Sequence, residues 1–265
     1  MLENVTNEAT LIEKAQALIP VLKERAQKAE RDRCMPKETD FDFREAGFYR
    51  ALQPARYGGL ELDYGAQTMF ARELGKACAS SAWVGGILAC HGWMAGMLPD
   101  EAQAEIWGDS PDVSVSTSFL PIGVKVERKG DILNVSGRWR FSSGVDHCRW
   151  AIVLVIVPPE NGEGPPDPVF ALIDLDDCLV EDTWNSAGLA GTGSNDIVVT
   201  DAEITPHRMM RVMDLRGEET DGSRANDSYL YRLPLFAVFP FNIIGPALGA
   251  ARGALDDVIE DLTSR

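Results

Sequence analysis

The side chain best suited to acid–base chemistry in this sequence is His91, one of three histidines. It lies in a stretch that starts near Ser80 and is apolar on most of its circumference as far as Leu98. An imidazole with an ordinary pKa of about 6.5 exchanges a proton near neutral pH, so His91 is a candidate catalytic or substrate-orienting group. A buried histidine that only satisfies hydrogen bonds in the core is the alternative.

The other two histidines, His147 and His207, fall beside predicted turns, and we interpret both as structural. No trio of histidines has the spacing of metal ligands, and the five cysteines contain no C-x-x-C pair. The sequence therefore predicts no metal site.

Two runs of hydroxyl side chains end predicted strands: Ser142–Ser143 and Thr117–Ser118. Hydroxyls both donate and accept hydrogen bonds, so either run can bind the polar edge of a ligand. Polar residues that merely end a strand give the same pattern. Because side chains alternate along a strand, only one of Ser142 and Ser143 can face a ligand directly.

The turn Gly191–Ser194 has the glycine content of a phosphate-binding loop but not its pattern. It lacks the G-x-G-x-x-G spacing and the lysine of a phosphate-binding loop, and Ile197–Val199 continues as a strand rather than a helix. We interpret this turn as a tight connection between strands.

The elements that must position these residues change type along the chain. Apolar residues first recur every three or four positions, which indicates helices, and after Pro111 they alternate and become β-branched, which indicates strands. Helical spacing returns from Pro234, after a polar linker at Arg216–Asn226. The predicted helices cover residues 7–33, with a kink at Pro20, then 41–47, 64–77 and 80–98; the predicted strands cover residues 113–118, 124–127, 132–136, 150–157, 169–175, 197–200 and 209–213.

This order predicts an α+β fold of three domains. An N-terminal helical domain at 1–112 precedes a central antiparallel, barrel-like β domain at 113–225 and the start of a C-terminal helical bundle at 226–265.

Charge and composition limit the partners and the compartment. Lys and Arg number 25 against 41 Asp and Glu, a net charge of −16, which argues against nucleic acid or an anionic membrane as partner. Five scattered cysteines and the absence of a signal sequence at Met1–Asn4 indicate the cytoplasm. The apolar run Leu235–Ala251 is too short and too interrupted to predict a membrane span.

Four ordered segments resemble one family. They are the helix with Trp83 and His91, the strand Ser116–Ser118, the segment Gly137–Gly144 followed by Asp146–Cys148, and the segment Gly188–Asp196 with Pro206–Arg208. Together they are similar to the oxygenase components of two-component flavin-dependent monooxygenases, the phenol-hydroxylating branch of the acyl-CoA dehydrogenase-like superfamily.

The resemblance implies a function, a cofactor and partners. It implies hydroxylation of a small aromatic, phenolic substrate with O2 and a reduced flavin, FMN or FAD, which a separate flavin reductase supplies. It also implies a homo-oligomer, a tetramer in the family. Such chemistry needs a water-poor pocket and a hydrogen-bond donor beside the flavin ring.

The same resemblance assigns roles to single residues. Ser143, with Ser142 beside it, matches the flavin-facing position, and His91 lies in the matched helix, where it is expected to orient the substrate or to act as an acid or base. Trp139 and Phe141 are two residues apart and on a regular strand would share a face that walls the flavin, although core packing is the alternative. Thr117 and Ser118 are expected at the flavin edge or the substrate.

Two departures from the family leave other functions open. Family members continue through a C-terminal bundle, so this chain looks truncated inside the first helix of that bundle, and Ala190 stands where relatives often carry Arg. One alternative is an acyl-CoA dehydrogenase with FAD. The stretch Ser116–Leu120 argues against it, because that branch has an acidic-proline flavin strand at this place. The other is a truncated, inactive remnant that binds flavin weakly or serves only in oligomerisation.

Overall fold

A computed structural model describes residues 7–159 and 163–264. In these residues helices precede and follow a set of strands, which confirms the predicted α+β fold class. Met1–Asn4 and part of the loop expected at Pro158–Pro168 lie outside the described residues. The helices are α1 Glu8–Asp32, α2 Lys37–Ala46, α3 Gly65–Gly75, α4 Ala79–Ala95, α5 Asp100–Trp107, α6 Asp221–Ala225, α7 Leu235–Val238 and α8 Ile244–Thr263, and the strands are β1 Val115–Ser118, β2 Leu120–Lys129, β3 Ile132–Ser142, β4 Trp150–Val157, β5 Asp167–Asp174, β6 Cys178–Glu181, β7 Asn195–Ile204 and β8 Met209–Arg211.

The chain packs as two compact units, each assembled from separate stretches of sequence. Unit 1 comprises Met1–Cys90, Asn185–Thr192 and Phe239–Arg265, and unit 2 comprises His91–Trp184 and Gly193–Val238. The three consecutive domains expected from the sequence stay a prediction.

In unit 1, α1 forms because its apolar positions fall on one stripe, from which Leu11, Ala15, Leu22 and Ala29 are buried. The Asn7 side chain caps its first turn by accepting a hydrogen bond from the backbone N–H of Thr10 at 3.0 Å. The helix continues through Pro20 and ends at Arg33, which adopts a left-handed conformation.

Helix α8 packs against α3 through three glycines spaced four residues apart, Gly245, Gly249 and Gly253. A Cβ atom on Gly249 would lie 2.3 Å from the carbonyl oxygen of Arg72, and one on Gly253 would lie 2.3 Å from that of Lys76. Only glycine allows the two backbones to approach this closely. Six large apolar residues of α8 are exposed: Ile244, Leu248, Leu255, Val258, Ile259 and Leu262.

The segment Leu235–Thr263 is, among the described residues, long and apolar enough to cross a membrane by length and composition alone. The buried residues of α8 in this segment are Gly245, Pro246, Gly249 and Gly253. Because α8 packs on α3 through these residues, its length and apolar composition are also those expected of a helix within a folded unit.

Unit 2 contains two four-stranded sheets, in the orders β1-β4-β5-β8 and β2-β3-β7-β6. All pairs are antiparallel except β1 with β4, in which Val115 lies opposite Trp150. The parallel pair was not predicted; it forms because the β2–β3 hairpin lies between these two strands and supplies the long connection that a parallel pair needs. The core of the unit includes Leu133, Val135, Trp139, Val153, Val155, Ala171, Ile173, Ile197 and Val199.

The segment predicted as a polar linker at Arg216–Asn226 instead contains helix α6. A capping box between Thr220 and Ser223 begins that helix. At its end, the Asn226 amide donates to the backbone oxygen of Gly96 at 2.8 Å and to the buried side-chain oxygen of Gln103 at 3.1 Å. Thr220, Ser223 and Asn226 are buried and make these hydrogen bonds, whereas the charged residues of the segment are exposed to solvent.

Candidate active site

His91 lies near the C-terminal end of α4 and is held on both sides by β1. Its Nδ1 lies 3.0 Å from the backbone oxygen of Val115, and its Nε2 lies 2.8 Å from Oγ1 of Thr117. A carbonyl oxygen only accepts, so Nδ1 carries the proton and Nε2 accepts a hydrogen bond from the Thr117 hydroxyl.

Burial sets the charge of this imidazole. His91 is 1% exposed, and desolvation lowers its pKa to about 3, against a smaller opposing contribution from the hydrogen bond to Val115. The ring is therefore neutral at physiological pH. The neutral imidazole can accept a hydrogen bond at Nε2, but with so low a pKa it does not hold a second proton there. This suits orientation of a partner more than acid catalysis.

The strand that holds His91 is tied to β3, the strand that directly precedes Ser143. The Ser118 hydroxyl, at the end of β1, donates to the backbone oxygen of Arg140 in β3. Both hydroxyl protons of Thr117 and Ser118 are thus donated within unit 2. A ligand beside these two residues meets oxygen lone pairs and backbone groups.

The end of β3 is irregular. Its pairing with β7 shifts register between Trp139 and Ser142, and Phe141 in this bulge has a φ of 64°. A bulge re-aims the side chains that follow it, and a positive φ at a large residue stores strain. Consequently, the alternation expected from sequence does not hold here.

Trp139 and Phe141 lie in different environments because of this bulge. Trp139 is fully buried in the core of unit 2, and its Nε1 donates to the backbone oxygen of Leu154 at 2.7 Å. Phe141 is 41% exposed. Of the two alternatives for Trp139, core packing describes its position. The Phe141 ring is partly exposed, and the guanidinium carbon of Arg140 lies 4.5 Å from its centroid.

Ser142 and Ser143 also differ. Ser142 is fully buried, and its hydroxyl has no hydrogen-bond partner. Ser143 is half-buried, and its Oγ lies 2.8 Å from Oγ of Ser194. Of the two serines, only Ser143 is therefore partly exposed.

Sequence reasoning did not assign Trp184, Ser194 and Asn195 to the site. The Trp184 ring meets Phe141 edge to face, with centroids 5.7 Å apart. Asn195 Oδ1 accepts the backbone N–H groups of Thr183 and Trp184, each at 3.2 Å, and so fixes this irregular segment. The available signal was the Gly-Thr-Gly-Ser-Asn run, which lies in the segment Gly188–Asp196 that resembles the family, although the turn itself is interpreted from the sequence as a strand connection.

The remaining histidines lie in different surroundings. His147 lies in the short turn Val145–His147, directly after Gly144. His207 Nε2 lies 2.9 Å from one carboxylate oxygen of Glu105, and Arg208 contacts the other at 2.6 Å. Within residues 7–159 and 163–264 no group of three or more His, Cys, Asp or Glu side chains could hold a metal ion.

The donor set around Ser143 fits a flavin. An isoalloxazine ring has flat apolar faces and a polar edge, and here an exposed Phe141 and a half-buried Trp184 form an aromatic pair, with the hydroxyl-bearing Ser143 two residues after Phe141. The unsatisfied Ser142 hydroxyl, in contrast, is enclosed and reaches no surface.

Comparison with known proteins identifies relatives of the chain. Residues 11–107 match the family model described as the N-terminal domain of acyl-CoA dehydrogenase. The chain is 35% identical to the oxygenase subunit HsaA, a flavin-dependent monooxygenase, of Rhodococcus jostii (strain RHA1), over 94% of this chain and 64% of that protein. It is 31% identical to the oxygenase component of the FADH(2)-dependent resorcinol hydroxylase of Rhizobium sp. (strain MTP-10005), over 96% of this chain and 62% of that protein.

Solved structures give the same result. The crystal structure of the HsaA monooxygenase from M. tuberculosis superposes with a TM-score of 0.92 at 30% identity, covering 98% of this chain and 68% of that one. The chain spans less than two thirds of the two curated relatives named above, at 64% and 62% of their lengths.

Proposed function

We propose, because this chain belongs to the oxygenase components of flavin-dependent monooxygenases with an acyl-CoA dehydrogenase-like fold, that it binds a reduced flavin and hydroxylates a small phenolic substrate with O2. The observation that carries the proposal is the position of Ser143 two residues after Phe141, whose ring contacts Trp184, at the end of a strand tied to the one that holds His91.

Ser143 and the aromatic pair would hold the flavin. The Ser143 hydroxyl is placed to donate a hydrogen bond to the polar edge of the ring, while Phe141 and Trp184 cover apolar ring surface and exclude water. When bound, the flavin supplies the electrons that activate O2. Trp139, Ser142 and Ser118 support this surface from within unit 2.

His91 and Thr117 would orient the substrate. Nε2 of the neutral ring already accepts a hydrogen bond from Thr117. A phenolic O–H can take the place of the Thr117 hydroxyl at Nε2, and Thr117 can then turn its hydroxyl to the phenolic oxygen. Because burial keeps the pKa of His91 near about 3, the phenol would be held by hydrogen bonds and would keep its proton in the resting complex.

The proposal extends to cofactor choice, partners and location. Relatives named FADH(2)-dependent support FAD, with FMN as the alternative. No nicotinamide-binding motif stands in the sequence, so reducing equivalents would come from a separate reductase. The exposed apolar residues of α8 support assembly into a homo-oligomer, the tetramer implied by the resemblance, and the five thiols support a cytoplasmic location.

Anaerobic titration with FMNH2 and FADH2, followed by addition of O2 and resorcinol, tests the proposal. We expect saturable flavin binding and hydroxylated product, with less H2O2 released per flavin oxidised than from free flavin. Ser143→Ala is expected to bind flavin more weakly and to release more H2O2. Absence of flavin binding would contradict the proposal, and reduction of an electron-accepting dye by an acyl-CoA would favour the dehydrogenase alternative.

A further inference from the structure

Two neighbouring side chains reach two different parts of the proposed flavin site from the start of β7. Ser194 contacts the Ser143 hydroxyl, and Asn195 holds the backbone of Thr183 and Trp184. Both side chains are nearly buried, at 3% and 8% exposure. The turn that begins at Gly191 thus delivers two polar groups to the site, which a simple strand connection would not require.

The Ser143 hydroxyl needs a hydrogen-bond partner to fix its direction, because the backbone on both sides of Ser143 is irregular. The regular ladder between β3 and β7 is interrupted just before it, where Phe141 has a positive φ, and Gly144 after it has a φ of 69°. A serine hydroxyl also rotates about its Cβ–Oγ bond. The 2.8 Å contact between Oγ of Ser143 and Oγ of Ser194 restricts that rotation.

We propose that Ser194 is a positioning residue, which fixes the direction of the Ser143 hydroxyl toward the edge of a reduced flavin. This inference rests on the proposed function. It requires only the pair of hydroxyls that the structure places together, and it assigns to the Gly-Thr-Gly-Ser turn a role in the oxygenase reaction.

A neutral hydrogen bond of this kind corresponds to a change of about 3- to 10-fold in an equilibrium or a rate. For Ser194→Ala we expect the rate of H2O2 release from the reduced complex in O2 to rise by that factor. The absorption spectrum of bound oxidised flavin should shift in the same direction as in Ser143→Ala. The affinity for flavin should fall by no more than about 3-fold, since the aromatic contacts remain.

Ser136→Ala is the matched control. Ser136 is a serine of β3 whose hydroxyl contacts Asp201 of β7. Its Oγ lies 3.1 Å from a carboxylate oxygen of Asp201 and 2.9 Å from the backbone nitrogen of that residue. It lies outside the proposed site, so its removal should leave the spectrum and the H2O2 rate unchanged. Ser194→Thr keeps a hydroxyl and should restore both.

The experiment combines anaerobic flavin titration, spectra of the bound flavin and stopped-flow detection of H2O2 on the native chain and these variants. In the Ser143→Ala background, Ser194→Ala should cause no further change, and this double variant decides the matter even if Ser194→Thr folds poorly. Equal rates and spectra in native protein and Ser194→Ala, or a full additional effect in the double variant, would overturn the inference alone. If the native chain binds no reduced flavin, the proposed function and the inference both fail.

Discussion

Acidification should destabilise this protein through His91. Burial lowers the pKa of His91 to about 3, whereas a histidine in the unfolded chain has a pKa of about 6.5. The unfolded state therefore binds the proton first. The contribution of the neutral, buried ring to the free energy of unfolding is fully present above about pH 6.5 and is lost progressively as the pH falls toward about 3.

The magnitude follows from the two pKa values. Between about pH 7.5 and about pH 5, the unfolded histidine becomes almost fully protonated while the buried one stays neutral. The free energy of unfolding should fall by about 2 kcal/mol from this group alone. That is a large fraction of the about 5–15 kcal/mol by which typical domains are stable.

Urea unfolding followed by circular dichroism across this pH range measures the effect. His91→Gln removes the titrating group but keeps polar atoms near Val115 and Thr117, so we expect the stability gap between native protein and this variant to narrow by about 2 kcal/mol on acidification. Thr117→Val removes a hydrogen-bond partner of His91 but keeps the imidazole, and it should keep the native pH dependence. Parallel pH profiles for native protein and His91→Gln would refute the reasoning.

Three further predictions concern packing and buried polar groups. Gly249→Ala should lower the free energy of unfolding by about 1–3 kcal/mol in urea titrations, because its Cβ would meet backbone atoms of α3, whereas Gly65→Ala, with no atom within 4 Å of its Cβ, should change stability by less than about 1 kcal/mol. Gln103→Leu should cost about 3 kcal/mol, since the buried amide donates to the backbone oxygens of Gly96 and Leu98; a loss below about 1 kcal/mol would contradict this account. Ser142→Ala should be neutral or raise the melting temperature, since it removes a buried hydroxyl without a partner, and a marked drop would indicate an unseen one.

Sequence patterns predicted most elements because these elements depend on periodicity. Helix α1 begins and ends within a residue of the prediction, and β4 coincides with it, since each has a clear apolar pattern bounded by breakers. Helix α5 was not predicted, although it starts directly after Pro99, and β6 was missed because four residues with no strong alternation give little signal.

The site was less accessible to such reasoning because it depends on departures from regular geometry. Strand alternation put Trp139 and Phe141 on one face, and the bulge between them separated the two rings. The contacts of Trp184 and Ser194 join segments about 40 to 50 residues away from Phe141 and Ser143, and no local pattern reports pairing over that distance.

The bulge also explains why the cluster can serve as a site. In a regular β3, alternate residues would be buried, and the hydroxyls of Ser142 and Ser143 would lie on opposite faces of the sheet. The chain would then continue in the direction of the strand. With Phe141 in a left-handed conformation, the strand ends its ladder at the pair Ser142–Asn195, and Ser143 leaves the sheet toward Ser194. The cost of a positive φ at a phenylalanine, of order 1–3 kcal/mol, must be offset by surrounding contacts, and the edge-to-face contact with Trp184 is one that the structure supplies. Phe141→Gly would relieve the strain but remove that contact, so a glycine here should loosen the segment that positions Ser143 even where it leaves the backbone unstrained.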